Sequence, residues 1–170
     1  MFDSRRFRVE RWPFEHDGVA HVHDIVVHPG AAVILPLLPG ERVVLIHNYR
    51  PAAGGELLEL PAGTLDAGES PLECARRELA EETGYRAGRI TPLVTFYSSP
   101  GILTELMHAF LAEDLTSGPT AHEAGEIIRV EVLDLSTALQ AIEAGRITDG
   151  KTAMTLLYYD RFVRGRKGGR

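Results

Sequence analysis

The stretch GTLDAGESPLECARRELAEETGY, Gly63 to Tyr85, places five glutamates, Glu69, Glu73, Glu78, Glu81 and Glu82, around Arg76 and Arg77 directly after a Pro-Ala-Gly sequence. Its second half reads as a helix. Ser70 is a capping residue, Pro71 suits the first helical turn, Glu73 completes a Ser-x-x-Glu capping box, and Gly84 is a natural stop. On such a helix Glu78 and Glu82 are four residues apart and Glu81 is three from Glu78, so their carboxylates crowd on neighbouring rows. Like charges at this spacing oppose the helix by roughly 0.2–0.5 kcal/mol a pair, a cost that a bridging cation offsets. The stretch is therefore a candidate site for a hard metal ion.

Beyond this stretch, 170 residues fit one domain with a real core, or one domain with a small appendage. An apolar fraction of 44% and a charged fraction of 25% are those of an ordinary globular protein. No apolar run reaches the length of a membrane span, and the N-terminus MFDSRRFRVERW lacks the apolar stretch of a signal peptide. These features lead to the expectation of a cytoplasmic protein with no membrane partner. The single cysteine, Cys74, excludes an internal disulfide framework and reads as a packing residue. A net charge of −6 argues against a nucleic-acid partner, which normally meets a basic patch. The one basic cluster, Arg161, Arg164, Arg166, Lys167 and Arg170, reads as a frayed, solvated C-terminus.

Residues 5–12 and 19–28 read as a β-hairpin turning at His16-Asp17-Gly18. His16, His21, His23 and Asp24 lie close in that hairpin, but without the regular ligand spacing of structural zinc. Residues 30–38 and 42–49 read as a second hairpin through Pro39-Gly40, and residues 56–61 as a short strand leading into a turn at Gly63. Strands follow near 90–97, 105–112 and 127–133, then a helix from Ser136 to Glu143 and a last one, capped by Asp149 or Thr152, running through Tyr159. Strand-rich halves around one central helix, with helices at the end, indicate an α+β chain built as an α/β/α sandwich.

The order Gly63, five residues, Glu69, seven residues, Arg77-Glu78-Leu79, then Glu81-Glu82, Thr83 and Gly84 resembles the Nudix box of the Nudix hydrolases, with Tyr85 where an aliphatic residue is usual. The resemblance implies a Nudix-type sandwich with a mixed sheet and an N-terminal β-hairpin extension. The expected division is residues 1–28 as that extension and 29–170 as the Nudix domain. By analogy with the ADP-ribose pyrophosphatase branch, the extension is expected to form a homodimer.

Phosphoanhydride hydrolysis needs charge neutralisation at the phosphoryl oxygens and an activated water, and Mg²⁺, with Mn²⁺ as the alternative, serves both needs. Glu78 and Glu82 are the first expected metal ligands and Glu81 the next, bridging or acting through water. Glu69 is expected to assist, and Arg77 to hold a glutamate through its bidentate fork. Gly63 is expected to adopt a backbone conformation closed to other residues. The resemblance adds a metal ligand from the Ala62 carbonyl, a general base at Glu126 with Glu123 in reserve, and a phosphate-binding Arg50 in Asn48-Tyr49-Arg50-Pro51. Pro100, fifteen residues past the box, resembles the mark of the ADP-ribose pyrophosphatase subgroup, which makes Pro100, Gly101 and Glu105 candidate substrate contacts. The implied reaction is metal-dependent hydrolysis of ADP-ribose to AMP and ribose 5-phosphate. Another nucleoside diphosphate sugar, flavin adenine dinucleotide or a dinucleotide stays open as substrate, and so does a Nudix module that senses a nucleotide without cleaving it.

Overall fold

Apolar residues run without interruption from Ala31 to Leu35 and from Val43 to Ile46, and all of these are buried. Continuous burial, rather than alternation, is the mark of strands covered on both faces. A computed structural model of the chain describes residues 2–3, 7–120 and 128–165 and has this layered arrangement.

Three strands come first: β1 (Phe2–Asp3), β2 (Arg8–His16) and β3 (Val19–Val27), an antiparallel sheet in the order β1-β2-β3. The turn between β2 and β3 falls at Asp17 and Gly18, both at positive φ. Then come β4 (Ala31–Leu38), β5 (Arg42–Arg50), a 3₁₀ turn (Pro51–Ala53), β6 (Gly55–Glu59), β7 (Ala62–Thr64), α1 (Pro71–Thr83), β8 (Tyr85–Tyr97), β9 (Leu106–Ser117), β10 (Ile128–Asp134), α2 (Leu135–Glu143) and α3 (Gly150–Tyr158). A π-helical turn over Tyr159–Arg164 continues α3.

The second sheet runs β10-β5-β4-β9-β8, with β6 on β5 and β7 on β4. It is mixed, because β4 and β9 are parallel and the other pairs antiparallel. One side buries Ala32, Ile34, Phe110 and Ala112 against Cys74, Ala75 and Leu79 of α1. The other buries Val33, Leu35, Val43, Leu45 and Leu111 against Leu135, Ala138 and Ala141 of α2 and Leu156 of α3. The period-2 alternation along β4 thus feeds two cores, and an α/β/α sandwich results. Among the described residues no helix is long and apolar enough to cross a membrane.

The expected second hairpin is only a corner. β4 and β5 pair at Leu37–Val43 and Leu38–Arg42, after which β5 takes β6 as its neighbour and β4 takes β7. The sheet opens there, and the chain between β6 and β7 is fixed in the opening. The Pro61 carbonyl accepts from Ile34 N at 2.9 Å, and Leu60 N donates to Thr152 Oγ1 at 2.8 Å.

Arg164 of the C-terminal basic cluster departs from the expectation of a frayed tail, while Arg166, Lys167 and Arg170 lie outside the described residues. Arg164 grips both carboxylate oxygens of Glu41, at 2.8 and 2.6 Å, and Asp160 at 2.8 Å. This ties the turn that follows α3 to the β4–β5 corner. Two histidines of the first hairpin pack on Phe14, which stacks on His21 and meets His23 edge-on, with ring centroids 5.1 and 4.7 Å apart. The first sheet joins the second through Val26, whose N–H donates to the Ile102 carbonyl at 2.8 Å and whose carbonyl accepts from Thr104 N at 3.0 Å.

Candidate active site

Helix α1 begins and ends where its residues dictate. Ser70 accepts from Glu73 N at 3.3 Å while the Glu73 carboxylate accepts from Ser70 N at 3.0 Å, a complete capping box. Gly84, at φ +73°, closes the other end by donating to the Ala80 carbonyl. Fixed between these caps, α1 turns Cys74, Ala75, Glu78, Leu79 and Glu82 inward. Two carboxylates are thereby buried beside an apolar core, a costly placement that calls for partners.

The partners come from β7 and Arg77. Glu82, 2% exposed, accepts from Ala62 N at 2.9 Å. Arg77 is a hub: Nε and Nη2 hold the two oxygens of Glu69, each at 2.9 Å, and Nη1 reaches Glu78 at 2.6 Å and Glu81 at 3.2 Å. Its Nη2 also donates to the Thr64 carbonyl at 3.2 Å. The expected bidentate grip on one glutamate is present, and the same guanidinium reaches two more. The Arg77 hydrogen bonds, over a smaller opposing effect of burial, hold the Glu69 carboxyl below the usual carboxylate range.

Gly63 lies in β7 rather than in a turn, and it is absent from the residues at positive φ. What requires glycine here is space. A Cβ at this position would sit 1.7 Å from Glu78 Oε1 and 2.0 Å from its Cδ, so the carboxylate rests directly on the backbone of β7. Cys74 is buried behind this contact, its Sγ 3.5 Å from the Gly63 carbonyl. Burial, with the charges of Glu69 and Glu78, pushes its thiol up to about 12, which removes it as a nucleophile at neutral pH.

Against β7 lies a cleft of about 680 Å³, lined by Ala62, Gly63 and Thr64 of that strand, by Arg50, by Tyr97, Ser98 and Glu105, and by Asp149, Gly150 and Lys151 at the start of α3. Arg50 Nε and Nη2 hold the two oxygens of Glu59 at 2.9 and 2.8 Å. Glu59 is 1% exposed and also accepts from Lys151 Nζ at 2.7 Å. Burial works to raise its pKa, but the Arg50 and Lys151 contacts outweigh this and keep it below the usual range. Arg50 is raised in turn, first by Glu59 and in part by the nearby charge of Glu82, which links it to the box.

The geometry therefore gathers Ala62, Glu69, Arg77, Glu78, Glu81 and Glu82 at one face and Arg50 and Glu105 in the adjoining cleft. Pro100 and Gly101 lie on an exposed turn and do not line the cleft; Ser98 and Glu105, on either side, do. Glu123 and Glu126 lie outside the described residues. Sequence reasoning missed Glu59 and Lys151. The only signal for Glu59 was an acidic residue within an apolar strand, Glu56-Leu57-Leu58-Glu59-Leu60.

A NUDIX domain model matches residues 27–154, a span that includes both α1 and the cleft residues Arg50 and Lys151. The chain belongs to the Nudix family. It is a Nudix hydrolase, similar to the ADP-ribose pyrophosphatase of Bacillus subtilis (strain 168), with 38% identity over 84% of this chain and 78% of the relative. It is also 42% identical to a GDP-mannose pyrophosphatase of Escherichia coli O1:K1 / APEC over 76% of this chain and 72% of that protein. The methanol dehydrogenase activator of Bacillus methanolicus is 35% identical over 84% of this chain and 78% of that protein. Among solved structures, an ADP compounds hydrolase superposes with a TM-score of 0.85 at 25% identity, covering 98% of this chain and 91% of that one.

Proposed function

We propose that this Nudix hydrolase cleaves the pyrophosphate bond of a nucleoside diphosphate sugar, ADP-ribose first among them, releasing AMP and ribose 5-phosphate. The observation that carries the reading is that β7, against which the α1 carboxylates Glu78 and Glu82 rest, also lines the cleft that holds the cations Arg50 and Lys151. An anionic diphosphate needs the second group directly and the first through a divalent cation. The relative named for ADP-ribose matches more of the chain than the GDP-mannose relatives, which favours the adenosine compound.

The donor set fits a hard divalent cation such as Mg²⁺ or Mn²⁺: Glu78, Glu82, Glu81 and Glu69 offer oxygen ligands, and the missing Cβ of Gly63 leaves room for the Glu78 carboxylate along the backbone. Among the described residues no three such groups already converge as a ligand set, and Arg77 pairs with Glu69, Glu78 and Glu81. Glu78 and Glu82, with the Ala62 carbonyl, would hold the ion; Glu81 and Glu69 would support it. When bound, the ion neutralises phosphoryl charge and lowers the pKa of attacking water. Arg77 keeps the carboxylates in fixed rotamers, and Arg50 orients a phosphate. A carboxylate at Glu126, or Glu123, takes the proton as water adds to phosphorus and the bridging P–O bond breaks. Ser98 and Glu105, beside the Pro100 turn, face the sugar end.

Exposed Trp12, Phe14, Val19 and Val22 on the first sheet support a homodimer through residues 1–28, which light scattering on the purified protein would test.

Incubation with ADP-ribose, other nucleoside diphosphate sugars, flavin adenine dinucleotide and diadenosine polyphosphates, with and without Mg²⁺, tests the reading by chromatography of products. AMP from ADP-ribose, dependent on the cation, is the expected result. Saturable binding of ADP-ribose with no cleavage of any compound would leave a nucleotide sensor instead, a reading that the intact set of box glutamates disfavours.

A further inference from the structure

The sugar end of the cleft is pinned to the first sheet, and a histidine sits at the pin. β3 ends at Val27. The next residue, His28, shares two hydrogen bonds with one side chain: its N–H donates to Thr104 Oγ1 at 2.8 Å, and its carbonyl accepts from that hydroxyl at 3.1 Å. Thr104 directly precedes Glu105, which lines the cleft and whose carbonyl accepts from Ser98 N at 3.2 Å. Fixed backbones thus bring the His28 and Glu105 side chains together. They are 12% and 20% exposed, and Nδ1 of the ring lies 3.4 Å from Glu105 Oε1.

The proton on the ring decides what this contact does. Nδ1 accepts from Gly30 N at 3.1 Å, closing a turn of the kind that an asparagine or aspartate makes with its side-chain oxygen. Accepting that bond needs a bare Nδ1, so the neutral ring carries its hydrogen on Nε2. In this form Nδ1 has no hydrogen to offer Glu105, and the carboxylate stays available to a group in the cleft. A proton taken from water at Nδ1 reverses the arrangement. Both ring nitrogens become donors, Gly30 N loses its acceptor, and Nδ1–H turns to the carboxylate as a charge-assisted hydrogen bond. Among the described residues the charged group paired with His28 is Glu105, while the atoms that a side chain at Gly30 would meet belong to the Leu106 carbonyl and the apolar Leu65.

We propose that His28 is the positioning residue of Glu105. Neutral, it leaves the carboxylate to accept from a hydroxyl at the sugar end of the substrate; protonated, it withdraws that carboxylate into an ion pair. The cleft then holds nucleoside diphosphate sugars less tightly as pH falls, by a route separate from the carboxylates of the box. This inference rests on the hydrolase reading above for the group that Glu105 binds, but its first test needs no substrate.

Nuclear magnetic resonance of the parental protein, labelled in its histidine rings and glutamate carboxyl groups, follows both partners between about pH 5 and 8, where histidines change charge. At the upper end the His28 ring should carry its hydrogen on Nε2, and the Glu105 carboxyl carbon should then move in step with the ring as it takes up a proton. His28→Asn, whose side-chain oxygen can accept from Gly30 N but cannot take up that proton, should remove this movement. With ADP-ribose and Mg²⁺, the ratio of parental to His28→Asn KM should grow about tenfold from the upper to the lower end, the size of one charge-assisted hydrogen bond, with kcat following one curve in both. AMP, which lacks the sugar beyond the pyrophosphate, should inhibit both proteins alike. Should His28→Asn melt early, Glu105→Gln replaces it, with a KM expected to stay high and level across the range.

A Glu105 signal that does not follow the His28 ring overturns the proposal, and so does hydrogen on Nδ1 of the neutral ring. A KM ratio that is raised but constant with pH also overturns it, since that marks a merely structural turn. An equal change for AMP does the same, because the loss would not belong to the sugar end. If the parental protein cleaves nothing in the panel, the hydrolase reading fails by itself, and the coupled movement of His28 and Glu105 still decides whether the pair switches.

Discussion

The acidic face of the box and the basic face of the adjoining cleft are built in opposite ways. The acidic face draws Glu69, Arg77, Glu78, Glu81 and Glu82 from fourteen consecutive residues, and one capped helix sets most of their geometry. The basic face draws Arg50 from β5, Glu59 from β6 and Lys151 from α3, and only the packing of α3 over the opened sheet makes them neighbours. The first face is a property of local sequence. The second is a property of the fold, and its buried Glu59 makes it the face more exposed to loss of stability.

Substitutions on each face test this contrast. Glu82→Gln and Glu78→Gln are expected to cut turnover most, about a thousandfold, through loss of a carboxylate proposed to hold the divalent cation. Their melting temperatures should stay near the parental value, because in Glu82→Gln the side-chain amide oxygen can still accept from Ala62 N. Product release followed by chromatography, paired with thermal melts, checks both halves.

On the basic face the larger effect should be structural. Glu59→Gln leaves Arg50 and Lys151 without their shared anion, and chemical denaturation should record a loss of about 3 kcal/mol, the lower end for a broken buried pair because both cations reach the cleft. The pH dependence follows from the same group. Its folded pKa lies below the ordinary value, so its stabilisation is complete above roughly pH 4.3, the unfolded carboxylate value, and fades as pH falls further through the folded one. The parental protein should lose stability over that acid range, and Glu59→Gln should show a flatter acid limb; identical slopes would remove Glu59 from the account.

Gly63→Ala probes the acidic face from the other side. The added Cβ collides with the end of a flexible side chain, so Glu78 can swing away and the fold survives. Turnover should fall about a hundredfold, the scale of a displacement near 1 Å in a catalytic group. A near-parental rate would mean that the position of Glu78 is not set by β7. The smallest effect belongs to the helix cap: Ser70→Ala should cost about 1 kcal/mol in thermal or chemical melts with turnover nearly intact, since the inner end of α1 is held by packing.

These differences also account for what could be read in advance. The helix from Pro71 to Thr83, its caps, the inward glutamates and the bridging role of Arg77 follow from i, i+3 and i+4 spacing and from capping chemistry, which act within a few residues. The strands were legible from apolar runs, and the sandwich from their order. The reason for Gly63 was not, because the nearest atoms to its missing Cβ belong to Glu78, on a different element. Nor was the anchoring of Arg164, whose partner Glu41 sits at a distant corner of the sheet. The amino-acid order alone was enough for the family, the acidic helix and the class of chemistry, since each is encoded at short range. Where the sheet opens, which cations line the opening and how Glu59 holds them together were settled only by tertiary packing, because residues far apart in the chain meet there as β5, β6 and α3 come into contact.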